Sequence, residues 1–596
     1  MKTKILFVLT LFLFPAYVIS QTNIYWGGGS GNWNDPSHWF KDANATIPIG
    51  TIPDPDLTVV FTDFSSPYPD FVVEIPEGTH GAQSIIVQTA MKFTLDFQGV
   101  SGSTVEINIY GDLLLRSTMT IDYASTLASH NVWKFVGSDT HDVNTAGLDL
   151  LSIEIHGNNT NFNQLSNLKC STQIRMLEGV WNTNGYQVST DILWFRDRAS
   201  TSNPLTKVFN TSGSSIYCNE WDSKLTYGSL TVNGGHKIYV EKFTGSPKQP
   251  NGSSFYFDEI YLLEYSDAGD FLVNTYNFEC TECIVNKLVI QDTGITKLAG
   301  KFTIEGVLVV QNTESVIQFS SGNGRIEEVI INGEIITPSA SGCEQKTIFE
   351  NNHSNFITLI RNNGTLVIKD AIINNVKTSG GASFVADNSI IQGASSGWNE
   401  VNVPTSLDYF WRPPAGSTGD WDDLNMWSVD GGQAECLPTI IDNVIIDESS
   451  KGNIRIPEDF TGICKNFIWV NVEGLELTLD GDMNMPSKLQ VAGDFILDQS
   501  ATITGVENHE IIFYSGTVND IETEGVVLPK IKFVGELASW NLVHDLECDE
   551  FIFFGGTLNT NGRSITTNRW LSFSSASKQY NFSSSKITVN GEMSLS

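Results

Sequence analysis

Short alternations of apolar and polar residues recur along this chain, each closed by Gly, Asn, Asp or Ser. Val105-Glu106-Ile107-Asn108-Ile109, Phe302-Thr303-Ile304, Val316-Ile317-Gln318-Phe319 and Leu366-Val367-Ile368 are examples. A period of two marks a strand with one buried face, and the closing residues mark turns. Earlier segments, Leu57–Phe61, Phe71–Glu77 and Ser84–Val87, are β-branched and aromatic runs set off by Pro and Gly. No block shows helical spacing. The pattern predicts an all-β protein. Strands this short, joined by polar corners, suit a parallel β-helix, in which each coil stacks its inward residues on the next. Tandem β-sandwiches are the alternative, and the absence of a Cys…Trp…Cys spacing weighs against them.

One stretch stands apart from the monotony and occurs twice. Gly31-Asn32-Trp33-Asn34-Asp35-Pro36-Ser37-His38-Trp39 is matched by Gly419-Asp420-Trp421-Asp422-Asp423-Leu424-Asn425-Met426-Trp427, and Trp26 or Trp411 precedes each. The match continues in order. Ile75-Pro76-Glu77 answers Ile456-Pro457-Glu458, Gly111-Asp112-Leu113 answers Gly493-Asp494-Phe495, and Cys170 answers Cys548. Asn182-Thr183-Asn184-Gly185 answers Asn559-Thr560-Asn561-Gly562. Two tandem units are therefore expected. The organisation read from these signals is a leader over 1–20, a tryptophan-motif β module over 21–90 capping unit 1, and a β-solenoid over 91–403. A second tryptophan module over 404–475 and a second solenoid over 476–596 follow. The second unit stops in mid-pattern, which reads as an N-terminal piece of a longer protein or as a truncated gene product.

Composition narrows the function classes. At 596 residues, 40% hydrophobic and 17% charged, the chain exceeds one ordinary domain and can bury large cores. A net charge of −34 disfavours nucleic acid and anionic membranes as partners. Lys2 and Lys4 before the apolar run Ile5–Phe14, then Pro15 and Ser20, form a secretory signal with cleavage before Gln21. No later stretch is apolar enough to be a transmembrane helix, so the mature chain is expected to be secreted or held at the cell surface. Export permits disulfides. Of eight cysteines only Cys280 and Cys283 lie close together, which suits a local disulfide or two thiols better than zinc.

The tryptophan-glycine opening, followed by Pro and a strand such as Asp442–Ile446, resembles the start of repeat units in very large secreted surface proteins of gliding and related Bacteroidetes. Those are adhesin-like proteins exported by the type IX route. The resemblance implies a β-solenoid stalk or adhesive surface that binds glycans or surface proteins without catalysis. Trp33, Trp39, Trp421 and Trp427 are then candidate carbohydrate-stacking residues, against the alternative that they cap the first coil. Gly31, Asp35, Gly419 and Asp423 are the recurring structural frame. Asp35 and Asp423 suit turn capping. Calcium could bind such carboxylates, but no cofactor is called for and no calcium-loop spacing is present. His38 is replaced by Met426 in the second copy, which argues against a base or a ligand at that position.

A secreted β-helix polysaccharide lyase or hydrolase is the enzymatic alternative. No Gly-His-Gly turn occurs, and Gly393-Ala394-Ser395-Ser396-Gly397 matches a nucleophile-elbow string without a helix after it. No catalytic residue or metal ligand is assigned.

Overall fold

The computed structural model describes residues 22–66, 70–100, 103–125, 130–157, 160–195, 205–225, 228–247, 255–263, 275–291, 294–313, 315–320, 328–339, 346–351, 358–392, 395–481, 485–505, 509–535, 538–572 and 578–595. The signal segment read over 1–20 lies outside them. Among the described residues the fold is all β, interrupted by two single 3-10 turns, Pro36–His38 and Leu424–Met426. Pairing is parallel almost throughout, which excludes a stack of antiparallel sandwiches. Long parallel sheets whose strands are visited in rotation make a β-helix.

By internal contacts the chain divides into two compact units, Met1–Arg198 with Leu205–Ser214, and Ala199–Pro204 with Ser215–Ser596. In the first, one sheet runs through Thr22–Trp26, Leu57–Phe61, Ser84–Val87, Leu113–Leu114, Thr140–Asn144, Asn161–Gln164, Gly179–Asn182 and Thr206–Asn210. A second sheet joins Gly31–Asn32, Phe71–Ile75, Phe93–Phe97 and Thr120–Tyr123. A third joins Gly78–Ala82, Val105–Ile109, Asn131–Val136, Ser152–His156, Leu168–Met176 and Val188–Trp194. Parallel neighbours need a long crossover between them. Here the crossover is the remainder of the coil, which supplies strands to the other sheets. The sheets pass residue 90 unbroken, since Ser84–Val87 pairs directly with Leu113–Leu114. The tryptophan-led segment is thus the first coil of the stack.

The second unit begins with long strands, Ser215–Leu225, Lys237–Pro247, Phe255–Leu262, Thr275–Ile290 and Ile295–Val310. Shorter coils follow, ending at Trp398–Val401. The tryptophan opening then starts a new stack that repeats the first sheet for sheet. Asp408–Trp411 leads a first sheet through Asn443–Ile446, Phe467–Trp469, Phe495–Leu497, Val518–Glu522, Ser539–Leu542, Gly556–Asn559 and Lys578–Asn581. Thr418–Asp420 leads a second sheet that again stops after four strands, at Thr502–Gly505. Residue 475 is likewise crossed without a break. Even the irregularities recur. The ladder slips between Cys170 and Gln173 in one stack and skips Asp549 in the other.

Burial follows the alternation in the sequence. Val105–Ile109 buries Val105, Ile107 and Ile109 and turns Glu106 and Asn108 outward. Buried rings stack from coil to coil, as in Phe467–Phe495 at 5.5 Å and Phe513–Phe533 at 4.8 Å. Each fully buried Leu, Ile or Phe contributes roughly 1.5–3 kcal/mol. On the outer face, side-chain amides form a ladder. Asn163, Asn182 and Asn210 each donate Nδ2 to the Oδ1 one coil earlier, starting from Asp142, at 3.1, 2.8 and 2.7 Å. Asn541, Asn559 and Asn581 do the same from Asp520. The aspartate at the head only accepts, so it sets the direction of the whole ladder. The tight corners carry Asn184-Gly185 and Asn561-Gly562, all at positive φ, 53°, 83°, 52° and 82°. That geometry explains the repeated Asn-Gly.

Candidate functional site

The tryptophan motif builds the same cap twice. Trp26 pairs antiparallel with Trp39, and Trp411 with Trp427. Asp35 accepts from Ser37 N at 2.9 Å and Asp423 from Asn425 N at 3.0 Å, each capping the 3-10 turn that carries the chain to the last tryptophan. These amide and hydroxyl bonds, the Ser37 backbone bond first, hold the Asp35 carboxyl below the usual range. Trp39 Nε1 donates to Trp33 O at 2.9 Å, and Trp427 Nε1 to Trp421 O at 2.8 Å. The rings meet edge to face, Trp33–Trp39 at 5.2 Å and Trp421–Trp427 at 4.9 Å.

This geometry corrects the binding role considered for the tryptophans. Trp33, Trp39, Trp421 and Trp427 are each exposed by 1% or less. No ring face is available to a sugar. Gly31 and Gly419 recur for a steric reason. A Cβ on Gly31 would lie 2.2 Å from His38 Nε2, and one on Gly419 2.7 Å from Met426 Sδ. His38 lies flat on Trp26 at 4.7 Å with its Nδ1 2.8 Å from Gly27 O, and Met426 packs on the equivalent aromatic cluster. The position is a lid over the first tryptophan in both copies.

The remaining candidates are accounted for locally. Ser395 Oγ donates to Gln392 O at 2.8 Å and accepts from Val376 N at 3.0 Å, so it pins a corner. Gly393 and Ala394 lie outside the described residues. Cys170 and Cys548 are buried thiols pushed up to about 12, chiefly by burial, and are inert at neutral pH. Cys283 and Cys436 are disulfide-bonded. The Cys280 side chain lies outside the described residues. Among the described residues one group has convergent metal-ligating atoms, Glu522, Glu524 and His544, all within 4.8 Å of one another. Asp35 and Asp423 are not members of it, and their carboxylates cap turns. A small cavity of about 280 Å³, lined by Ile390, Ile440, Ala492, Lys465 and Tyr514 among others, lies inside the second unit.

The surface feature with recognition chemistry is a ladder of tyrosines on the long strands. Tyr217, Tyr239 and Tyr261 occupy one register on successive coils. Their rings stack at 4.6 and 4.7 Å, nearly parallel at 6° and 19°, the spacing of adjacent strands. Tyr217 is 37% exposed. Tyr261 Oη donates to Glu259 Oε2 at 2.5 Å, and Lys287 Nζ donates to Tyr261 Oη at 3.1 Å and to Glu259 at 3.3 Å. Burial and the facing acid raise the Tyr261 hydroxyl, and burial with Tyr217 and Glu259 raises that of Tyr239. Burial opposes ionisation of Glu259, but its bonds from Tyr261 and Lys287 outweigh it and hold the carboxyl low. The strip thus presents three hydroxyls, the Glu259 carboxylate and the amines of Lys237 and Lys287, 3.8 and 3.3 Å from Glu259. It can bind through hydrogen bonds and ring edges. Sequence reading passed over it, although the triplets Ile216-Tyr217-Cys218, Ile238-Tyr239-Val240 and Ile260-Tyr261-Leu262 carry the signal at the coil period.

No protein-family model, curated protein or solved structure matches the chain.

Proposed function

We propose that this chain is an exported surface protein of the large-repeat adhesin type, a β-helical stalk that binds a glycan or protein partner along its outer face without turning it over. The tyrosine ladder carries the reading. It is an ordered row of hydrogen-bonding groups on a rigid sheet, with aromatic surface left to solvent. The disulfides at Cys283 and Cys436 fit an oxidising compartment. The cap tryptophans take no part in binding on this reading. Cell-surface protease shaving tests the location, and a glycan and matrix-protein array tests the ligand. Retention on at least one array class should fall about tenfold in Tyr239→Ala, the loss of about 1.4 kcal/mol, and stay unchanged in Met426→Leu. Release of reducing ends or unsaturated sugars from a bound polysaccharide would instead favour the lyase or hydrolase reading.

A further inference from the structure

In the second compact unit, three residues bring a primary amine, a carboxamide and a carboxylate together. Lys346 precedes strand Thr347–Asn351, Asp370 precedes Ala371–Asn374, and Asn388 follows Ser383–Asp387. Asp370 and Asn388 occupy the same corner of successive coils, both with positive φ, 50° and 47°. Asn388 Nδ2 donates to Asp370 Oδ1 at 2.5 Å. Lys346 Nζ stands 3.8 Å from that same Oδ1 and donates to the Asn388 main-chain oxygen at 2.6 Å. The amine and the amide nitrogen thus share one carboxylate oxygen. The Lys346 and Asp370 side chains are only 17% and 16% exposed, so water competes poorly at this point.

We propose that Lys346 and Asn388 are the precursors of an intramolecular isopeptide crosslink, formed with Asp370 as the proton-transfer catalyst. Asp370 accepts a proton from the Lys346 ammonium. The neutral Nζ, turned from the main-chain oxygen of Asn388 to its side chain, attacks Cγ and forms the new C–N bond. Asp370 returns the proton to Nδ2, the old C–N bond breaks, and ammonia leaves. The second ammonium proton goes with it, so the products are the amide and an ammonium ion. No oxidant, reductant or cofactor enters. Burial lowers the Lys346 amine, against the pull of Asp370, which favours the neutral nucleophile. Asp370 is placed to serve the leaving group because it already holds the Asn388 amide. The result would be a covalent tie between chain positions 42 apart, joining the two coils on either side of the one that carries Asp370.

The test is tandem mass spectrometry on a tryptic digest of the full-length, reduced and alkylated protein. The expected result is a branched peptide that joins the Lys346 and Asn388 segments and is lighter by one ammonia, with trypsin unable to cut after Lys346. It should be absent from Lys346→Arg and from Asp370→Asn, whose folding is checked by thermal melting. Linear peptides with a free, cleavable Lys346 in the wild-type protein would overturn the proposal. So would ammonia loss confined to Asn388 without a branch, which marks an internal succinimide. A branch that persists in Asp370→Asn would overturn the role given to Asp370. The reading is decided on the wild-type chain, so a variant that fails to fold leaves it open to refutation.

Discussion

The two tryptophan caps share a backbone and differ in how they fill one site. In the first, the lid over Trp26 is an imidazole held flat and hydrogen-bonded to Gly27 O. In the second, the lid is Met426, a flexible thioether with no hydrogen bond to satisfy. The flanking strand differs too. Asp420 in the second cap makes a two-pronged pair with Arg455, at 2.5 and 2.8 Å, while Asn32 in the first closes its own turn by accepting from Asn34 N. What survives in both is the set of three buried indoles, the capping aspartate and the glycine under the lid. The frame is therefore under steric control, and its polar decoration is free to vary.

The largest expected effect breaks that frame. Trp33→Ala or Trp421→Ala removes a ring buried to within 1% exposure and should cost about 3–5 kcal/mol in the affected stack. Denaturant titration with separate probes in each stack measures it, and a loss below about 1 kcal/mol would reject the cap as a stability element. The glycines come next and should separate the copies. Gly31→Ala forces a methyl into a fixed imidazole, whereas Gly419→Ala meets chiefly the Met426 thioether, which can swing aside, with the Trp411 ring edge at 3.0 Å. The first should lose about 1–3 kcal/mol and the second less, and Gly31→Ala combined with His38→Met should recover part of the loss. Equal costs at the two glycines would break the comparison. The smallest effect concerns Asp35. Its folded carboxyl titrates below the ordinary carboxylate range because the Ser37 amide and hydroxyl bond the charged form. A depressed carboxyl stabilises the fold above its unfolded value, and that contribution is lost as pH falls through the folded one. The melting-temperature gap between wild type and Asp35→Asn should therefore be present at neutral pH and close on strong acidification. A gap that widens with acid would reverse the sign.

Much of this was legible because a β-helix writes its period into the chain. The alternation in Val105–Ile109, the Asn-Gly corners and the paired tryptophan frames each report a local backbone requirement, and such requirements recur wherever the coil does. The tyrosine ladder was less visible. Single tyrosines spaced a full coil apart look scattered until pairing puts Tyr217, Tyr239 and Tyr261 in register. The Lys346–Asp370–Asn388 cluster left no signal, because its three members differ in residue type and come from one corner of three successive coils.

The sequence by itself determined the strand pattern, the repeat and the positions of the caps, since each depends on residues close together in the chain. The tertiary structure decided which faces those residues present. It buried the tryptophans that looked like a binding platform, because a parallel stack must close its open end with apolar bulk. It turned the tyrosines outward, with Tyr217 exposed and Tyr239 and Tyr261 half-buried, because their register points them away from the coil interior.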